Sequence, residues 1–182
     1  MKTDSEKITQ LVYDLANSES ESALKSLYLI YYQRLFRFVN LYSPSAEDTE
    51  EILSDIFLAL WDGRKKLMDI DNFNSFIYGI ARHKAISFIR KRQLEYVDLD
   101  NYPVDLFFAT ETTAEDDLIT KEEIEKINLA INNLPEKAKM TFKLIREDNL
   151  KYKEVSDILG ISVKTVEAHM ATAIRKLRDA LK

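Results

Sequence analysis

"LKYKEVSDILGISVKTVEAHMATAIRKL", residues 150–177, decides how the rest of the chain is read. Val155, Ile158 and Leu159 recur at helical spacing ahead of Gly160, a residue that enters the left-handed region of a tight turn without a steric penalty. Ile161 fills the turn and Ser162 is suited to cap a second helix. In that helix Val163, Val166, Met170, Ile174 and Leu177 recur every three or four residues, so they are expected to face the core. The opposite face carries Lys164, Thr165, Glu167, Ala168, His169, Thr172, Arg175 and Lys176. A Gly turn, a capped second helix, small Ser156 at the close contact and a basic exposed face together describe a helix-turn-helix. Early residues of its second helix are placed to reach base edges, and the later Arg and Lys suit phosphates. The plainer alternative is an ordinary helical hairpin with solvated charges.

DNA is a polyanion, yet the 182 residues carry a net charge of -5. The charge is unevenly spread. Residues 1–94 hold 13 basic and 13 acidic side chains and balance. Residues 95–125 hold 11 acidic and one basic, whereas residues 126–182 hold 12 basic and 7 acidic. The acidity lies in the middle of the chain, and the helix-turn-helix segment is basic on its own. Acidic residues in the middle are read either as competitors with DNA for the basic surfaces or as a means of keeping a linker soluble.

The rest of the sequence sets the class. Apolar residues make up 46% of the chain, with three Gly, three Pro and no Cys. Apolar positions recur at spacings of three and four, and no period-2 run stands out, which predicts an all-helical protein. The lack of Cys excludes disulfides and thiolate metal sites and fits a cytoplasmic location. The polar start "MKTDSEKITQ" has no signal-peptide core. No stretch approaches the roughly 18 apolar residues of a membrane span. A soluble protein without membrane insertion is expected. Helices are predicted at about 5–17, 20–42, 46–67, 72–93, 114–133, 136–147, 152–159 and 163–181. Ser45 with Asp48 resembles a capping box, Asn72 is a good N-cap, and Thr113 with Asp116 could cap the helix that Leu134-Pro135 ends. Residues 95–113 lose periodicity and read as an acidic linker, although "VDLFF" within them could dock.

Two stretches of the front half have opposite sign. "AEDTEEILSDIFLALW", residues 46–61, places Asp48, Glu51 and Asp55 on one helical face, opposite a stripe of Ile52, Ile56, Phe57 and Leu60. The acids serve either the helix dipole or a basic partner surface, and the pattern leaves both open. "IARHKAISFIRKRQ", residues 80–93, has Arg82, Lys84, Arg90, Lys91 and Arg92 and no acid. With Phe73, Phe76 and Tyr78 just before it, this composition suits nucleic acid, charge tracking phosphates and rings stacking on bases. Each Phe alone is as readily a core residue.

In this order and spacing, the stretches resemble the extracytoplasmic-function sigma factors, small two-domain initiation factors of bacterial RNA polymerase. "LKSLYLIYYQRLFRFVN" is similar to the opening helix of their first domain. "AEDTEEILSDIFLALW" resembles their polymerase-binding helix, which implies that role for Asp48, Glu51, Asp55, Phe57 and Trp61. "NFNSFIYGIARHKAISFIRKRQ" resembles the segment that melts and reads the minus-ten element. That implies DNA contacts for Asn72, Phe73, Arg82, His83, Lys84, Ser87, Arg90 and Lys91. His83 stands where the family usually has Asn, and Ser87 where it often has Asp. "AINNLPEKAKMTFKLIREDNLKYKEVSDILGISVKTVEAHMATAIRKLRDAL" resembles the domain that reads the minus-thirty-five element. The resemblance implies residues 1–94 as the first domain, 95–113 as linker and 114–182 as the second. It implies core RNA polymerase and promoter DNA as partners, with no catalytic site, cofactor or metal. The few Gly and "INNLPEKAKMTF" resemble sigma factors of the Bacteroidota. There the implied further partner is a membrane-anchored anti-sigma factor linked to outer-membrane nutrient transport. Two rivals fare worse on the residues. A two-component output regulator needs a βα receiver in front. A carboxylate metalloenzyme built on residues 48, 51 and 55 lacks the Glu-x-x-His pairing of helical dimetal sites.

Overall fold

The computed structural model describes residues 4–43, 45–95 and 121–181, and every regular element among them is helical. The chain divides into two compact units, Met1–Leu106 and Phe107–Lys182.

The first unit contains α1 (Asp4–Ser18), α2 (Glu21–Val39), α3 (Ala46–Asp62), a 3₁₀ helix (Arg64–Asp69) and α4 (Phe73–Glu95). Its core is made by the apolar stripes of these helices: Leu15, Leu27, Tyr31, Leu35 and Phe38, then Ile52, Ile56 and Leu60, then Ile77, Tyr78, Ala81 and Ala85, all buried. Ser20 caps α2 by accepting the Ala23 N–H at 3.2 Å. Asn72 likewise stands before α4 and accepts the Ser75 N–H at 2.9 Å. Helix α3 starts at Ser45, whose Oγ accepts the Asp48 N–H at 3.1 Å. The reciprocal half of the expected capping box does not form. Asp is one methylene shorter than Glu, and the Asp48 carboxylate is taken by Arg92 instead.

Two predicted helices are too long. The 46–67 helix stops at Asp62, where the Gly63 N–H reaches the Ala59 and Trp61 carbonyls and a Cβ would lie 3.1 Å from Ala59 O. The chain then tightens into the 3₁₀ helix and buries Leu67. The 20–42 helix stops at Val39, because the following turn pulls Leu41 and Ser43 inward.

The second unit contains α5 (Lys121–Asn132), α6 (Glu136–Arg146), α7 (Tyr152–Leu159) and α8 (Val163–Ala180). Helices α5, α6 and α7 all pack on α8, around Leu134, Ala138 and Ala173 with Phe142 and Leu177 against them. Residues 96–113 of the expected linker, with Thr113, Asp116 and the start of the 114–133 helix, lie outside the described residues.

Candidate nucleic-acid interface

The turn between α7 and α8 follows from Gly160, whose φ of 65° is the left-handed conformation that ends α7. The N–H groups of Gly160 and Ile161 both reach Ser156 O, the latter at 3.1 Å. Ser156 is buried, so a small side chain is what lets the corner close. Ser162 then caps α8 by accepting the Thr165 N–H at 3.1 Å. At the other end of α7 the N-cap is Lys151, and Glu154 supplies the cap by accepting the Lys151 N–H at 2.7 Å.

The buried stripe of α8 is Val166, Met170 and Ala173, with Leu177 half-buried. Two of the expected core residues are displaced: Val163 is 36% and Ile174 45% exposed. The true stripe has its third member at Ala173, a small residue that lets neighbouring helices approach, and this turns Ile174 to the rim. On the opposite side Lys164, Glu167, Ala168, Arg175 and Lys176 are exposed, with Thr165, His169 and Thr172 half-buried between them. The Thr165 hydroxyl lies 2.8 Å from that of Ser162, and Thr172 donates to Ala168 O at 2.9 Å, so both are partly engaged within the helix. Lys164, Arg175 and Lys176 form no ion pair among the described residues.

In the first unit α3 and α4 pack side by side with their chains antiparallel, as two ion pairs record: Asp48 with Arg92, and Asp55 with Lys84 at 3.3 Å. Of the three face acids only Glu51 is exposed without an ion pair among the described residues. Phe57 is buried, its ring 4.8 Å from that of Tyr28. It joins α2 to α3 rather than offering a surface. Trp61 is half-buried beneath the Arg64 guanidinium, which lies 4.3 Å from the ring and also pairs with Glu19 at 3.1 Å. That pairing holds the Glu19 carboxyl below its usual pKa. On α4, His83, Ser87, Arg90 and Lys91 share the exposed face. Arg82 turns towards the Tyr42 hydroxyl, whose pKa burial raises and whose hydrogen bond with Arg82 opposes that rise. Asn72 spends its side-chain oxygen on the cap of α4. Phe73 is half-buried, edge-on to Tyr31 at 5.6 Å, and belongs to the aromatic packing.

Sequence reasoning missed several of these contacts. The Tyr31 hydroxyl donates to Asn74 and the Tyr32 hydroxyl to Glu50. Leu58, strongly exposed, stands on the acidic face at helical spacing from Glu51, Asp55 and Asp62. Its spacing is a signal that could have found it: it is the large apolar residue out of phase with the Ile52–Ile56 stripe. Among the described residues no three His, Cys, Asp or Glu side chains come together to hold a metal. No helix among them is long and apolar enough to cross a membrane.

Comparison with known proteins covers both units. The family described as Sigma-70 region 2 matches residues 27–95, and the one described as Sigma-70, region 4 matches residues 124–177. The RNA polymerase sigma factor SigZ of Bacillus subtilis (strain 168) is 26% identical over 158 residues, 87% of this chain and 86% of its own. The ECF RNA polymerase sigma-E factor of Escherichia coli (strain K12) is 24% identical over 177 residues, 93% of this chain and 92% of its own. A solved structure of the sigma factor RpoE in complex with the anti-sigma factor NepR, from Bartonella quintana, shares the fold. Its TM-score is 0.61 at 20% identity, covering 86% of this chain and 95% of that one.

Proposed function

Because the chain belongs to the sigma-70 family, as an extracytoplasmic-function sigma factor, we propose that it docks on core RNA polymerase through α3 and holds promoter DNA through α4 and α8. One observation carries this reading: an acidic helix face and two basic helix faces lie on separately folded units, joined by a strongly acidic segment. A polymerase subunit needs those surfaces; an enzyme does not. Residues 1–94 would bind the polymerase and melt the minus-ten element, and residues 114–182 would read the minus-thirty-five element through α8. The acidic stretch 95–113 would link them. On α3 the contact surface is Glu51, Asp55 and Leu58, the last supplying the exposed apolar group that buried Phe57 cannot. On α4 it is His83, Ser87, Arg90 and Lys91. On α8 it is Lys164, Ala168 and His169 for bases, with Arg175 and Lys176 for phosphates.

An anti-sigma factor is the proposed regulator, anchored in the membrane as in the Bacteroidota that the chain resembles. A solved structure of the same fold holds the sigma factor RpoE of Bartonella quintana in complex with the anti-sigma factor NepR. Action on DNA and polymerase places the protein in the cytoplasm. The test is a core-binding titration of Glu51→Lys. Glu51 has no ion pair among the described residues, so the reversal changes the docking face and leaves the α3–α4 pairs intact. Affinity should fall at least several-fold with helicity unchanged. Wild-type affinity would remove α3 from the interface.

A further inference from the structure

The seam between α3 and α4 carries Asp55 of the proposed docking face and, beside it, three charges outside the contact surfaces named above: Asp48, Lys84 and Arg92. Asp48 and Asp55 are two helical turns apart on α3, and Lys84 and Arg92 are just over two turns apart on α4. The antiparallel packing sets each acid against one cation. All four are therefore already partnered within the free chain, whereas His83, Arg90 and Lys91 form no ion pair among the described residues.

We propose that polymerase docking exchanges these partners: a basic polymerase surface takes Asp48 and Asp55, and Arg92 and Lys84 pass to DNA phosphates. This inference rests on α3 being the docking face. In the free protein the seam holds two cations of the DNA-contacting helix neutralised. In the complex the same side chains join Arg90 and Lys91 along the DNA backbone. The accessibilities suit an exchange. The Asp55 side chain is 57% exposed, open to an arriving cation, while that of Asp48 is 15% exposed, so a newcomer there takes the place of Arg92. The more exposed Lys84–Asp55 pair is weak and screened by salt, so opening it costs little. At the more enclosed Asp48 the arriving cation replaces Arg92, so the carboxylate is not left unpaired. Linkage then makes the effect mutual: whatever factor polymerase adds to DNA affinity, DNA adds to polymerase affinity.

Asp48→Asn with Asp55→Asn tests the neutralisation in the free protein. Its binding to a fluorescent duplex of random sequence should tighten several-fold at low salt. The slope of log affinity against log salt should steepen by about two units, roughly 0.9 for each cation released to a phosphate. Glu47→Gln with Asp62→Asn makes the same change in net charge on acids without an ion pair among the described residues, and its slope should stay at the wild-type value. Lys84→Gln with Arg92→Gln tests the release: the slope of promoter binding by the reconstituted holoenzyme should flatten by about two units. Equal slopes for the two acid-neutralised proteins, or a wild-type holoenzyme slope for Lys84→Gln with Arg92→Gln, would overturn the exchange. A core-binding titration of Asp48→Asn with Asp55→Asn separates the two readings. Weakened core binding with an unchanged DNA slope removes the exchange alone, whereas unchanged core binding removes the docking role of these acids and with it the trigger.

Discussion

Arg175 and Lys139 are cations four helical residues or fewer from apolar packing, yet their surroundings give them opposite duties. Arg175 is exposed on α8 beside Lys176 and has no ion pair among the described residues, so it can meet a phosphate without first leaving a partner. Arg175→Ala should flatten the salt slope of minus-thirty-five binding by about one unit and leave sequence preference intact. A changed preferred element would move Arg175 among the base readers. Lys139 is 3% exposed on α6, and burial lowers its pKa from 10.5, helped by Lys143 and opposed by Glu136. Below the lowered pKa both folded and unfolded chains carry the charge, and the folded state bears the desolvation. Between that pKa and 10.5 only the unfolded chain stays protonated, so stability rises with pH through this window. In urea titrations from neutral pH upward, wild type should therefore gain stability relative to Lys139→Met. A flat difference would mean that the ammonium bears no burial penalty.

At the scale of the element, the α7–α8 corner turns on one backbone conformation. A Cβ built on Gly160 meets nothing within 4 Å, so Gly160→Ala would suffer from its positive φ and not from crowding. The left-handed conformation costs an L-residue roughly 1–2 kcal/mol. Thermal unfolding of Gly160→Ala should show a loss of that size, and a neutral outcome would mean that the corner relaxes to negative φ. The corner was legible in the sequence because each of its parts is local: the Gly, Ile161, the Ser162 cap and the alternation of apolar residues. Its neighbours were less legible. The Val163 and Ile174 misplacement shows why: Ala173 looks unremarkable as a hydrophobe, and only close packing of α5 and α6 on α8 gives it the central position.

Across the whole molecule, charge is segregated by segment, from balanced through -10 over residues 95–125 to +5 at the end. If the acidic segment competes with DNA for the basic surfaces, polymerase channels that hold nucleic acid would offer it another basic site. Neutralising Asp98, Asp100, Asp105 and Glu111 to Asn or Gln should strengthen non-specific DNA binding by the free protein at low salt. It should also slow productive initiation by the holoenzyme. If both quantities stay at wild-type values, these acids serve solubility alone.

What the sequence determined by itself is what short-range chemistry controls. Periodicity set the helices, Ser20, Ser45, Asn72 and Ser162 set where four of them begin, and charge composition separated the acidic stretches from the basic ones. What only the tertiary structure decided is how those side chains are spent. Asp48 and Arg92 are 44 residues apart, and Tyr31 and Asn74 are 43 apart. No local pattern announces such pairs, because they exist only once α2, α3 and α4 have packed. Packing likewise buried Phe57 and left Leu58 outside, although both are large apolar residues next to each other in the chain. A helix turns about 100° per residue, so the boundary between core and exposed surface falls between them, and the position of the neighbouring helix sets it.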